Sequence, residues 1–169
     1  IAVEDKDFYN HGAVSISGIG RALKANYDNG TASQGGSTIT QQFVKNALLD
    51  RKKLYTRKVR EILLAYKVES HFSKDEILEL YLNEIPYGRN AYGAESAAQS
   101  YFNKSASELT LAESAYLAAL PQAPSYYSPT GDNFDALVER QHFVLNQMES
   151  QGYITAQEHQ DALSQQVAF

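Results

Sequence analysis

The feature that most constrains the fold is helical spacing of apolar residues combined with repeated helix-start signals. Sequences of the form Ser/Thr-x-x-Glu begin at Ser73, Thr110 and Thr155, among other positions. Such capping boxes satisfy backbone N–H groups that are left unbonded at a helix N-terminus. No segment shows sustained apolar–polar alternation, so little β-structure is expected. The sequence therefore predicts a mainly α fold.

The predicted helices cover most of the chain. They span residues 14–27, 37–49 with Ser37 as the cap, 57–72, 73–82, 91–102, 110–121, 134–150 and a short stretch after Thr155. The small, polar stretch 28–35 is expected to be a mobile loop. The fourth helix is expected to have one buried side, formed by Leu78, Tyr81, Leu82 and Ile85.

Length and composition suit one globular domain. The chain has 169 residues, of which 43% are hydrophobic, and it contains no cysteine. We expect residues 1–169 to form this domain, with the motifs described below in residues 1–104 and a helical scaffold in 105–169. Reactive carboxylates seldom lie four residues from a natural terminus, because termini fray. The position of Glu4 therefore predicts that the sequence is a fragment of a longer protein.

Charge is distributed unevenly along the chain. The formal net charge is −5, yet residues 45–60 carry seven basic residues against Asp50 alone, a local net charge of +6. A general nucleic-acid binder needs a broad basic surface, so nucleic acid is not expected as a partner. The local cluster fits a diphosphate or anionic lipid headgroups, and the alternative is a solvated helix face.

Two polar stretches could carry chemistry. Glu4 and Asp5 are adjacent carboxylates, which suit proton transfer or cation binding. Residues 35–42 read Gly-Gly-Ser-Thr-Ile-Thr-Gln-Gln, a small-residue turn followed by hydroxyls and amides that suit a sugar. Gln41 and Lys45 are four residues apart and share a helix face.

Five motifs in order resemble those of the peptidoglycan glycosyltransferases, the chain-polymerising domains of class A penicillin-binding proteins and their monofunctional relatives. They are Glu4-Asp5 with Phe8 and His11; residues 35–42; Arg57-Lys58 with Glu61; Lys74 to Asn83; and Arg89 to Phe102. The chain departs from the family pattern at Asn103, where glycine is frequent, and at Ser15, where aspartate is frequent.

The resemblance implies a lysozyme-like, mainly α fold and a set of site residues. Glu4 would be the catalytic base, and Glu61 corresponds to the second important glutamate of the family. Asp5 is the candidate ligand of a divalent cation, Mg²⁺ or Mn²⁺. Substrate binding is expected from Ser37, Thr38, Gln41, Gln42, Lys45, Arg51, Arg57, Lys58 and Arg89.

The resemblance also implies partners and a location. The substrates would be lipid II and the growing glycan chain, joined with inversion at the anomeric carbon and release of undecaprenyl diphosphate. Further expected partners are the membrane surface, the phosphoglycolipid inhibitor moenomycin and a covalently linked transpeptidase domain. The protein is expected at the extracytoplasmic face of a bacterial cell membrane.

Three other functions are compatible with parts of the sequence. A lysozyme-like muramidase would cleave glycan, but it needs no diphosphate clamp and so leaves the basic cluster unexplained. An inactive domain could hold lipid-linked sugar without turning it over. A surface-active helical domain could lack catalysis, although Asn46, Asp50 and Thr56 interrupt an amphipathic pattern in the basic segment.

Overall fold

The computed structural model describes residues 1–29, 36–49 and 55–169. Within these ranges the chain forms eight α-helices: α1 (Ile16–Asn29), α2 (Ile39–Ala47), α3 (Tyr55–Glu69), α4 (Lys74–Glu84), α5 (Ala94–Phe102), α6 (Leu111–Ala119), α7 (Phe134–Ser150) and α8 (Ala156–Ser164). Short 3₁₀ helices span Phe8–Asn10, Ala106–Glu108 and Leu120–Gln122. Apart from one isolated bridge between Pro86 and Tyr92, these ranges contain no β-structure. The prediction of a mainly α fold is confirmed.

Capping boxes place several helix starts where the sequence predicts them. Thr110 and Thr155 cap α6 and α8, and each box is completed by a glutamate three residues later. At α4, the Ser73 N–H donates to Glu76 Oε2 over 2.7 Å, and the Glu76 N–H donates to Ser73 Oγ over 3.3 Å.

No helix in the described ranges is long and apolar enough to cross a lipid bilayer.

Three details differ from the sequence-based expectation. The cap of α2 is Thr38 rather than Ser37, because the Gln41 side chain returns to the Thr38 N–H and completes a capping box. Helix α5 begins at Ala94, three residues late, because the preceding backbone folds back through the Pro86–Tyr92 bridge. Leu82 is 39% exposed, so the prediction that it is buried was wrong.

The chain divides into two compact units. The first contains Ile1 and residues 3–84, and the second contains Ala2 and residues 85–169. In the first unit α2 packs against both α3 and α4. Its core includes the fully buried side chains of Phe8, Ile39, Val44 and Ile77. The single domain expected from the length stays a prediction.

The second unit is built around α6, which packs against α5, α7 and α8. Ala97 and Ala98 on α5 are fully buried, as expected for an alanine-rich helix in close contact with a neighbour. The large core side chains are Leu120, Leu137 and Leu145. This unit therefore has an apolar core of its own.

Two helices of the first unit expose large apolar side chains. On α1, Ile16 and Tyr27 are 86% and 89% exposed. On α3 the apolar stripe faces solvent, with Val59, Leu63 and Tyr66 each more than half exposed. The buried side of α3 is instead formed by Glu61, Ala65 and Val68. Exposed apolar area of this kind marks interaction surfaces in soluble domains.

Candidate active site

Glu4 lies beside the amide of Gln42. Gln42 Nε2 donates a hydrogen bond to Glu4 Oε2 over 3.1 Å, and Gln42 Oε1 accepts one from the Tyr81 hydroxyl over 3.4 Å. Tyr81 thereby favours the amide orientation that points a donor at the carboxylate. The structure thus brings the candidate base against the second glutamine of the 35–42 motif.

Asp5, next to Glu4, is buried and has both carboxylate oxygens engaged. Its Oδ2 accepts the N–H of Ile39, the first residue of α2, over 3.0 Å. Its Oδ1 lies 2.6 Å from Nε2 of His11, whose Nδ1 is 2.6 Å from the Gly12 carbonyl oxygen. A carboxylate at a helix N-terminus is stabilised by the helix dipole and by the free N–H groups there.

These contacts give Asp5 a structural role at the start of α2, and its role as a metal ligand stays a prediction. A divalent cation such as Mg²⁺ needs several oxygen ligands, and both oxygens of Asp5 already have partners. Among the described residues, no group of three or more His, Asp or Glu side chains is arranged to hold a metal ion. The divalent cation stays a prediction.

The first turn of α2 separates capping residues from accessible ones. Thr38 and Gln41 are 1% and 2% exposed. The Thr38 hydroxyl accepts the Gln41 N–H and donates to the Ala13 carbonyl oxygen over 2.8 Å, and Gln41 Oε1 accepts the Thr38 N–H. Ser37 and Gln42 on either side are only half-buried. A direct contact of Thr38 or Gln41 with substrate stays a prediction.

The basic side of the site centres on Lys58. Its ammonium group contacts the carboxylate of Glu61, one turn further along α3, and lies 3.1 Å from Ser37 Oγ. The Glu61 side chain is almost completely buried, so the ion pair fixes the direction in which Lys58 extends. Arg57 is half-buried beside it, and Lys45 is exposed on α2.

One short stretch therefore anchors both kinds of charged group. Glu4 is bonded to Gln42, and Lys58 is bonded to Ser37, five residues earlier. Glu4 and Lys58 therefore contact the same short stretch of chain. A groove that holds two sugar units between Glu4 and the cationic side chains of Lys45, Arg57 and Lys58 stays a prediction.

Arg51 and Arg89 are the two remaining predicted binding residues. Arg51, with Lys52, Lys53 and most of the loop expected at 28–35, lies outside the described residues. Arg89 belongs to the second unit, where its guanidinium group stacks 4.7 Å from the Tyr101 ring centroid and donates to the Ser100 carbonyl oxygen. Its backbone has φ of +48°, next to Gly88 at +84°. The contribution of both arginines to binding stays a prediction.

The sequence predicts only a place on the buried side of α4 for Tyr81. The signal that could have identified its contact with Gln42 is a buried tyrosine inside a polar motif, because a buried phenol hydroxyl needs a hydrogen-bond partner. Glu69 was not singled out at all. Nothing local in the sequence marks it, since its partners Thr40 and Lys74 come from two other helices.

The whole chain is similar in sequence to known proteins. Residues 1–149 match the family model described as Transglycosylase. Penicillin-binding protein 1A of Neisseria gonorrhoeae is 49% identical over all 169 residues, which make up 21% of that protein. The Rickettsia bellii protein of the same name is 47% identical over 172 aligned positions, 22% of its length. The chain spans about a fifth of the length of these curated relatives.

A solved structure is similar as well. The crystal structure of penicillin-binding protein 1A from Haemophilus influenzae aligns with 77% of this chain and 16% of its own. The two share 34% identity with a TM-score of 0.54. This likeness confirms the expected lysozyme-like, mainly α fold.

Proposed function

This chain belongs to the transglycosylase family, and we propose that it is a peptidoglycan glycosyltransferase that transfers the growing lipid-linked glycan to the 4-hydroxyl of lipid II. The observation that carries the proposal is the pair of hydrogen bonds that tie Glu4 and Lys58 to the 37–42 stretch. This transfer requires a base for the acceptor hydroxyl and a cation for the leaving diphosphate, and Glu4 and Lys58 both contact this polar, sugar-compatible stretch.

Glu4 acts as the general base. It removes the proton from the 4-hydroxyl of the acceptor sugar, whose oxygen attacks C1 of the donor chain. Undecaprenyl diphosphate departs from the opposite face, so the anomeric centre inverts. The logic is that of an inverting glycosidase in which a sugar hydroxyl replaces water. The Gln42 amide holds the Glu4 carboxylate for this step.

The leaving group needs charge stabilisation more than protonation, because a diphosphate is already a stable anion. Lys58, Arg57 and Lys45 supply the positive charge, and charge-assisted hydrogen bonds to phosphate are among the strongest available. Glu61 orients the ammonium group of Lys58, which its buried contact supports. Ser37 and Gln42 offer hydrogen bonds to sugar or phosphate oxygens.

The exposed apolar side chains of α1 and α3 support a site that works at a membrane surface. Val59, Leu63 and Tyr66 lie on the same helix as Arg57 and Lys58. Such a helix can contact lipid with its apolar side while its basic end meets a lipid-linked diphosphate. The extracytoplasmic face of the bacterial membrane and a linked transpeptidase domain complete the proposal.

The test is polymerisation by the purified chain, with lipid II in detergent and products separated by gel electrophoresis. Wild type should give long glycan, and moenomycin should block it. Glu4→Gln should give no polymer with an unchanged circular dichroism spectrum and Tm, because the amide keeps the shape but cannot accept the proton. Glu79→Gln, an exposed change on α4, is the matched control and should polymerise normally.

Two results would contradict the proposal in different ways. Polymer from Glu4→Gln at the wild-type rate would remove Glu4 as the base. A folded wild-type chain that makes no polymer but releases fragments from purified peptidoglycan would identify a muramidase instead.

A further inference from the structure

We infer that the Glu69–Lys74 ion pair is a positioning device for the reaction, which holds the segment carrying Glu4 against the helices carrying Gln42 and Lys58. The inference rests on the proposed function. Glu69 and Lys74 lie outside the catalytic and binding set, but their replacement should measurably change the turnover rate.

The pair joins three helices at one point. Lys74 at the start of α4 places its ammonium nitrogen 2.6 Å from Oε1 of Glu69, the last residue of α3. The same oxygen accepts the hydroxyl of Thr40, on α2, over 2.6 Å. Thr40 is fully buried, and the side chains of Glu69 and Lys74 are 14% and 20% exposed. The Glu69 carboxylate thus links α2, α3 and α4.

Lys74 also reaches the segment that carries the base. Its ammonium nitrogen lies 4.6 Å from the centroid of the Phe8 ring, within the range of a cation–π contact. Phe8 is fully buried and follows Glu4 by four residues. Next to it, the Tyr9 hydroxyl donates to the Asp75 carboxylate over 2.9 Å. Residues 74 and 75 therefore fasten the segment 4–9 to α4.

The catalytic and binding groups depend on these same elements. Glu4 is carried by the fastened segment, Gln42 by α2, and Lys58 by α3. Thr40 is two residues before Gln42, so a shift of the Thr40–Glu69 bond moves the partner of the base. Displacement of a reacting group by about 1 Å can lower the rate by up to about 100-fold. An exposed Lys–Glu pair would have no such effect.

The test compares kcat and KM for lipid II in four variants. Lys74→Met and Glu69→Gln should each lower kcat by about tenfold with little change in KM, because geometry rather than affinity is lost. The double variant should lose no more than the worse single variant, since both changes break the same contact. Lys74→Arg keeps the charge near Glu69 and the Phe8 ring, and should recover most of the activity.

The second unit supplies the matched control. Lys104 and Glu113 form an ion pair of the same type, also at 2.6 Å, outside the elements that carry Glu4, Gln42 and Lys58. Lys104→Met should lower the free energy of unfolding to a similar extent and leave kcat unchanged. If Lys74→Met unfolds at the assay temperature, Glu69→Gln, which retains an acceptor for Thr40, gives the same measurement.

Three results would overturn the inference: wild-type kcat in Lys74→Met and Glu69→Gln, an equal fall of kcat in Lys104→Met, or strictly additive losses in the double variant. Failure of the proposed function looks different, because the folded wild-type chain itself would then make no polymer, and the inference would fall with it.

Discussion

Replacement of Thr38 by valine separates a capping role from a substrate-binding role. Valine has nearly the shape of threonine but neither donates nor accepts a hydrogen bond. Thr38→Val therefore removes the acceptor of the Gln41 N–H at the start of α2 and the donor to the Ala13 carbonyl oxygen. Because Thr38 and Ala13 are both buried, water cannot replace the lost partners.

The magnitude follows from these two contacts. Loss of a helix N-cap costs about 1 kcal/mol. An unpaired buried carbonyl adds about 1–3 kcal/mol. The free energy of unfolding should fall by about 2–4 kcal/mol in total. For a chain of this size, a loss of 3 kcal/mol corresponds to a Tm decrease of about 6–12 °C.

Urea unfolding followed by circular dichroism measures this change, and Thr155→Val is the control. Thr155 caps α8 in the same way, but it is exposed and carries no tertiary hydrogen bond like that of Thr38 to Ala13. Its replacement should therefore lower the free energy of unfolding only by the value of the cap, about 1 kcal/mol. Equal losses in the two variants would refute the contribution of the Ala13 bond. Unchanged stability with a raised KM for lipid II would make Thr38 a substrate contact.

Two further predictions concern the second unit. Gly88→Ala should destabilise it by about 1–3 kcal/mol in urea unfolding. The backbone φ is +84°, and a Cβ would lie 2.9 Å from the Tyr101 hydroxyl and 3.2 Å from the Pro124 carbonyl oxygen. A loss of stability below about 0.5 kcal/mol would refute this strain. Burial opposes ionisation of Glu113, but hydrogen bonds from Lys104 and the Thr110 N–H outweigh it and lower its pKa. A carboxyl group whose pKa is lowered by folding contributes stability at pH values above its unfolded-state pKa. That contribution is lost as the pH falls through the folded-state pKa, so stability should decline below about pH 5. Glu113→Gln should flatten that decline in unfolding curves between pH 7 and 3, and an unchanged pH dependence would contradict the assignment.

Local sequence signals predict the helices well where caps determine them. Helix α7 begins and ends at the predicted residues, and the boxes at Thr110 and Thr155 start α6 and α8. The error at α2 arose because Ser37 and Thr38 are both good caps, and Gln41 at the third helical position selects Thr38. Leu82 shows the limit of periodicity, which identifies a helix face but not whether another element covers it.

The sequence groups Glu4 with Gln42 and Lys58 with Ser37 in one candidate site, and the structure shows a hydrogen bond within each pair. The burial of the individual residues could not be predicted. Spacing alone cannot show that Thr38 and Gln41 face inward while Ser37 and Gln42 remain accessible. Asp5 is bonded to a backbone N–H 34 residues away, which no local pattern indicates. The departure at Asn103 has a simple reason, since φ of +52° at the end of α5 suits glycine best and asparagine next.

The apolar side chains that α1 and α3 expose also have a kinetic consequence. On the proposed function, detergent micelles offer these side chains the same contact as a bilayer and should take up the enzyme together with its lipid-linked substrate. The rate then depends on the number of substrate molecules per micelle rather than on their concentration in the whole solution. Adding detergent at constant substrate should then lower the surface density of the substrate, so KM for lipid II is compared between variants at one fixed detergent concentration.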